Sequence, residues 1–192
     1  MINVADVDAL NPLIANQQLS TDLAMFWASF LFDWSDRNEL VPELATQVPA
    51  TENGGISRDG KTIVYHLRRG VRWHDGAAFT AEDVIFSYRA VMNPKNDIPS
   101  RTGYDLIASL EKRDDYTLAV HLKRPWSPFV ASFFTLSGTA YPVLPAHLLA
   151  KLPDINHAAY NQKPIGTGPF KVASWQHGTR IRFVANPDYW RG

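Results

Sequence analysis

Any chemistry in this chain has to come from a short set of side chains. Six histidines are spread along it, at His66, His74, His121, His147, His157 and His177. No two stand at metal-ligand spacing and no H-E-x-x-H occurs, so no metal site is read. There is no cysteine, which removes disulfides, thiolate nucleophiles and thiolate metal ligands. Gly55-Ile56-Ser57-Arg58-Asp59-Gly60 looks like a nucleophile elbow. It has one residue too many for G-x-S-x-G and opens a strand instead of following one. Gly166-Thr167-Gly168 suggests a phosphate loop, but the third glycine, the lysine and the following helix are missing.

Paired acids occur twice, at Glu82-Asp83 and Asp114-Asp115. Neighbours on a strand face opposite ways, and at a helix start acids serve the cap and the dipole, so neither pair is set up for acid–base work. Arg68, Arg69 and Arg72 form a basic corner, expected to be solvated or ion-paired to Glu82 or Asp83, with phosphate or nucleic-acid contact as the alternative. His66 and His121 fall on the less apolar faces of strands and read as structural. Trp27, Trp73, Trp126, Trp175 and Trp190 read as core instead of ligand platforms. The chain offers no catalytic residue, no metal ligand set and no cofactor motif.

The elements that carry these residues can be read from periodicity. Thr62–Leu67 alternates, with Ile63, Tyr65 and Leu67 on one face, which predicts a half-buried strand after the Asp59-Gly60 turn. Thr80 with an acid three residues on, ahead of Val84, Ile85 and Phe86, predicts a capped helix that ends at Asn93-Pro94. Tyr116–Leu122 alternates as a second strand. Phe170–Trp175 and Arg180–Ala185 form a hairpin about His177-Gly178. Ile2–Val7 reads as a short strand. Thr21–Phe32 reads as a helix buried nearly all round and capped by Ser20 or Thr21. Gln47–Ile56 reads as an interrupted strand and Leu40–Ala45 as an apolar turn. Tyr104–Leu110, Phe129–Leu136 and Ala146–Lys151 read as helical, and Lys151–Lys163 as a polar linker. Strands joined by tight turns and mixed with helices favour an α+β, mixed α/β architecture.

Composition narrows the function. The 192 residues are 45% hydrophobic, enough for a packed core, with 19 basic and 19 acidic residues. A formal net charge of zero argues against a nucleic-acid partner, whose footprint would be basic. No apolar run approaches the ~20 residues a membrane span needs. No basic segment followed by an apolar one opens the chain, so no signal sequence is expected within it. Residues alone lead to a mixed α/β binding or interaction domain.

Five ordered motifs add a resemblance. Asp59-Gly60-Lys61, Leu67-Arg68, Gly70-Val71, Trp73, Asp75-Gly76, Phe79-Thr80-Ala81 and Asp83-Val84 form the first. Leu10-Asn11-Pro12, Leu40-Val41-Pro42-Glu43-Leu44-Ala45, Pro164–Phe170 and Asn186-Pro187-Asp188-Tyr189-Trp190 are the others. Together they resemble the extracellular solute-binding proteins of family 5, the peptide, nickel and opine binders of ABC importers. The resemblance implies a periplasmic-binding-protein-like type II fold, reduced to a first lobe with an inserted accessory subdomain. Family members are more than twice this length, so a second lobe is expected to be absent. The implied division is 1–32 for lobe one, 33–150 for the accessory subdomain and 151–192 for the rest of lobe one.

The implied function is non-enzymatic. A periplasmic or extracellular, membrane-associated component captures oligopeptides or a similar small solute between lobes. It then delivers the solute to a membrane permease. Contact with the membrane would run only through the transporter or a lipid anchor. Nickel chelates, opines or sugars are alternative ligands, and a hydrolase or a standalone interaction module is the alternative of another kind. The ligand-side residues expected here are Asn16, Gln17, Gln18, Tyr104, Thr139 and Tyr141.

Overall fold

The computed structural model describes residues 7–137 and 140–192. Among the described residues, three small antiparallel sheets and four α-helices share one continuous apolar core running from Val7 to Val172. The strand expected over Ile2–Val7 falls, apart from Val7, outside the described residues.

The central stretch forms as its sequence predicts. Strand β3 (Thr62–His66) buries Ile63 and Tyr65. Helix α2 (Ala81–Met92) starts at a capping box: Thr80 Oγ1 accepts from Glu82 N at 3.3 Å and Asp83 Oδ2 accepts from Thr80 N at 2.9 Å. These bonds satisfy amides that no intrahelical carbonyl can reach. The α2 C-cap is Asn93, just before Pro94. Strand β5 (Thr117–Leu122) is the middle of a β3–β5–β4 sheet and buries Leu118, Val120 and Leu122.

Several sequence expectations are corrected. The first helix, α1, spans Gln18–Trp27, earlier than Thr21–Phe32. Its N-cap is Gln17, without a side-chain cap, so neither Ser20 nor Thr21 caps it. Ser20 Oγ bonds Ala9 O instead. Nor is α1 buried all round, since Met25 and Phe26 are about half exposed, at 50% and 47%. It stops because Ala28 is extended and Phe32 is drawn into strand β1 (Phe32–Trp34). β1 pairs with β2 (Leu40–Pro42), which occupies the expected apolar turn.

Residues 104–110 are not a helix. One 3-10 turn at Tyr104–Leu106 leads straight into edge strand β4 (Ile107–Asp114) on β5. Pairing with β5 overrides the local helical pattern. Residues 129–136 make only the single turn α3 (Phe129–Ser132). The chain then opens so that Leu31 N can reach Phe134 O at 2.7 Å, with Phe134 at φ +47°. Helix α4 is Ala146–Leu149. Gln47–Ile56 is a loop folded on Asn53, whose Oδ1 accepts from Ala50 N and Gly55 N. The β6–β7 hairpin (Phe170–Gln176, Arg180–Ala185) forms as expected, turning at Gly178 with φ +68°.

The seam that joins the N-terminal elements to the central stretch is made of backbone. Gly168 N donates to Trp27 O at 3.0 Å, satisfying a carbonyl at the end of α1. A Cβ on Gly166 would stand 1.8 Å from that oxygen. The Gly-Thr-Gly run is therefore a place of close backbone approach. His74 clamps its other side. Gly166 N donates to His74 Nδ1 at 3.0 Å, while the His74 Nε2–H donates to Gly168 O at 3.0 Å. That arrangement fixes a neutral ring with its proton on Nε2, and burial lowers the His74 pKa in the same sense.

Candidate functional site

A cleft of about 210 Å³ opens beside the start of α1. One wall runs from Pro12 through Ala15, Asn16, Gln17 and Gln18 to Thr21, and the other is Pro99, Ser100 and Tyr141. The first wall is set by Asn11. Its carbonyl accepts from Ile14 N and Ala15 N, and its Oδ1 accepts from Leu13 N at 3.2 Å. That Asx-type turn brings the chain round to the helix. The second wall is set by Tyr141, whose hydroxyl accepts from Ser100 N at 3.1 Å and donates to Ser100 O at 3.0 Å. Burial raises the Tyr141 pKa, so the phenol stays protonated at neutral pH.

Four of the expected ligand-side residues, Asn16, Gln17, Gln18 and Tyr141, thus meet at one cleft. Tyr104 is not among them. Its ring is 2% exposed and packs 6.0 Å behind Tyr141 and 5.2 Å from Phe134. Its hydroxyl accepts from Phe134 N at 3.0 Å. Tyr104 backs the wall as core, a place that the sequence left open because a tyrosine after a polar loop reads equally as surface. Thr139 lies outside the described residues. Pro12, Thr21, Pro99 and Ser100 are lining residues that the sequence reading missed. Pro12 and Thr21 flank the Asn16–Gln18 run, and Pro99 and Ser100 sit in a polar segment, Lys95–Gly103, that carries no other local signal.

The lining is amide, hydroxyl and proline. Primary amides donate and accept together, which suits neutral main-chain groups of a ligand. Two carboxylates stand at its margin. Gln17 Nε2 lies 3.4 Å from Asp8 Oδ2, and Gln18 Nε2 donates to Asp22 Oδ1 at 3.0 Å.

No reaction centre forms among the described residues. Ser57 Oγ donates to Asp59 Oδ1 at 2.6 Å and accepts from Thr62 N at 2.9 Å, serving its turn. No group of three metal-ligating side chains comes together there. One row was not foreseen: Thr62 Oγ1, His121 and Glu111 Oε2 line up across β3, β5 and β4 with 3.1 Å at each step. It has hydroxyl, imidazole and carboxylate, but its backbone amides are spent on the sheet, and Thr62 N is spent on Ser57 Oγ. Without a free pair of donors for an oxyanion it is a cross-strand polar ladder.

The basic corner is exposed at Arg69 and Arg72, as expected of a solvated face, but among the described residues it forms no ion pair to Glu82 or Asp83. Arg68 bonds Glu43 O at 3.0 Å and lies 4.6 Å over the Trp190 ring. Arg69 lies 4.4 Å over Tyr116, and Arg72 reaches Gly76 O. Glu82 instead meets Arg89 at 3.5 Å. Asp83 is buried and accepts from Thr80 N, Trp73 Nε1 and Ala146 N. Arg68 and Arg72 are held on carbonyls, and Arg68 and Arg69 on aromatic rings.

This mixed α/β fold with a polar, amide-lined cleft is of the periplasmic-binding-protein-like class. It superposes on NikZ from Campylobacter jejuni, solved with Ni(L-His), at a TM-score of 0.83 and 30% identity over 97% of this chain and 35% of that one. With the oligopeptide-binding protein AppA of Bacillus subtilis, solved with a nonapeptide, the TM-score is 0.88 at 27% identity, over 99% of this chain and 36% of that one. The sequence pattern of the bacterial extracellular solute-binding proteins, family 5 (Middle), matches residues 39–192. The chain belongs to that family.

Among curated relatives it is 31% identical to Bacillus subtilis AppA over 193 residues, 99% of this chain and 34% of that protein. It is 34% identical to the dipeptide-binding protein of Escherichia coli over 175 residues, 79% of this chain and 30% of that protein. The chain therefore spans about a third of the length of these relatives. Both of these relatives are named as binding proteins, and the family's own description is extracellular. No helix among the described residues is long and apolar enough to cross a membrane.

Proposed function

We propose that this chain is part of the substrate-binding component of an ABC importer. It captures oligopeptides or a similar small solute and hands them to a membrane permease. The observation that carries this reading is the convergence of Asn16, Gln17, Gln18 and Tyr141 on one cleft. Amide and phenol groups there can pair with peptide N–H and C=O groups whatever the side chains, which gives broad specificity. The names of the relatives, oligopeptide-binding and dipeptide-binding, support a peptide ligand. The chain acts by binding and carries out no reaction. It works at the periplasmic or extracellular face, held near the membrane by the transporter or a lipid anchor.

Within this reading, residues 1–32 and 151–192 belong to lobe one and 33–150 to an accessory subdomain, with a second lobe closing over the ligand. Burial on closure supplies most of the affinity, so the chain by itself binds weakly. A titration followed by NMR tests this, using trialanine in one series and the nickel–histidine complex in another. Shifts centred on Asn16–Gln18, Ser100 and Tyr141 with trialanine are expected. Shifts there with nickel–histidine alone would move the ligand to the metal chelates, in line with the NikZ likeness. Shifts confined to other surfaces with both ligands would remove the cleft from consideration.

A further inference from the structure

Tyr141 and Ser100 are bonded to each other within the second wall, and the first wall has no hydrogen bond to the second among those found in the described residues. What spans them is the segment from Pro153 to Asn161. In sequence it reads as a polar linker, but in the fold it is tied down along its length. Asn161 is 3% exposed and uses every polar group it has. Its Oδ1 accepts from Asn11 Nδ2 at 3.0 Å, and its carbonyl accepts from Leu10 N at 2.8 Å. Its Nδ2 donates to Ile155 O at 2.7 Å and to Asn156 O at 3.0 Å.

On the far side the same segment grips the loop after α2. Ile155 N donates to Asn96 Oδ1 at 2.9 Å, and Asn96 Nδ2 donates to Ala90 O at 2.7 Å. Asn156 takes Asp97 N on its Oδ1 at 2.9 Å and gives Nδ2 to Lys95 O at 2.8 Å. Asn93 Nδ2 donates to Pro153 O at 3.1 Å. Arg101 then binds the carbonyls of Val91, Asn93 and Asn96, which fixes the loop just ahead of Pro99 and Ser100.

We propose that residues 153–161 are a strap that sets the width of the cleft, with Asn161 as its positioning residue. None of the hydrogen-bond partners of Asn161 lines the cleft. It holds Asn11, which shapes the first wall, and it fixes the turn at Ile155 and Asn156, which holds the second. Asn161 and Asn96 are buried and form the stiff part of this connection, because losing one partner there leaves another unsatisfied in a dry interior. The strap rests on the cleft reading only for its functional meaning; the mechanical claim stands on the bonds themselves.

Hydrogen exchange of this chain without ligand tests the strap, so a failure to bind peptide would leave the result readable. Asn161→Ala is expected to speed exchange about tenfold at both 12–18 and 95–101, with β3 and β5 unchanged. Asn11→Ala is expected to loosen 12–18 alone and Asn156→Ala 95–101 alone. A uniform rise across the fold, or an Asn161→Ala effect confined to one wall, would overturn the proposal. If Asn161→Ala does not fold, the one-sided variants decide: an effect of either on both walls, or on neither, overturns it.

Discussion

Residues 59–92 and the cleft at 12–21, 99–100 and 141 are built by opposite means. The elements of the first region form through bonds between residues close in sequence, the Asp59–Lys61 turn, the Thr80–Asp83 capping box and the β3 alternation, and long-range bonds to β5 and Ala146 then dock them. The cleft is held by bonds across long separations. Asn11 meets Asn161 over 150 positions, and Tyr141 meets Ser100 over 41. Local bonds make a region legible and rigid without giving it a ligand. Long-range bonds gather polar groups that no segment could gather by itself, and that is where a solute can be held.

The seam between the regions gives the largest expected effect. Gly166→Ala puts a Cβ 1.8 Å from Trp27 O, a backbone atom that cannot swing away. It is expected to cost at least about 3 kcal/mol. Chemical denaturation checks this, and a near-neutral result would show that the two regions are not held at fixed spacing.

The two sides of this seam respond to pH in opposite directions. Glu43 bridges it, accepting from Phe30 N at 2.7 Å while its carbonyl takes Arg68 Nε. Burial, only partly offset by the Phe30 amide and Arg191, pushes its carboxyl up to about 7 from 4.5. The folded state therefore holds the Glu43 proton more tightly than the unfolded chain. Its stability contribution is full below about 4.5 and is lost as pH rises through about 7. Glu43→Gln is expected to stabilise the chain at pH 8 by on the order of 3 kcal/mol and to change little at pH 4. His74 works the other way. Its pKa is lowered, mainly by burial, so its clamp is present above 6.5 and weakens as pH falls through the folded value. Melting curves of Glu43→Gln from pH 4 to 8 should expose that His74 slope once the opposing one is gone.

Smaller effects separate the regions. Thr80→Ala removes one half of the capping box and is expected to cost about 1 kcal/mol of stability while leaving the cleft's ligand response unchanged. Gln17→Ala is expected to do the reverse, within about 0.5 kcal/mol of wild type in denaturation but with weaker trialanine shifts at Tyr141. If Gln17→Ala were the more destabilising of the two, the division between a scaffold region and a binding region would fail.

What could be read in the sequence follows the same division. β3, β5, α2 and the β6–β7 hairpin were legible because turn residues, alternation and a cap act within a few positions. Local pattern points to helix over 104–110 and over 129–136, but pairing with β5 makes the first mostly strand and the Leu31–Phe134 bond cuts the second to one turn. Asn16, Gln17 and Gln18 were legible as a polar run after Asn11-Pro12. Pro99 and Ser100 were not, since nothing local marks a loop that becomes a wall only when Tyr141 and Arg101 hold it.

By itself the sequence determined the family and the central turn–strand–helix, both of which depend on residue type and short spacing. Tertiary structure alone decided that Tyr104 is core, that the arginine corner sits on Trp190 and Tyr116, and that a polar linker is a strap. The physical reason is that a polar side chain has no fixed role until its partner arrives. Asn161 reads as solvent-facing in the chain, and it becomes structural only when Asn11 and Ile155 enclose it.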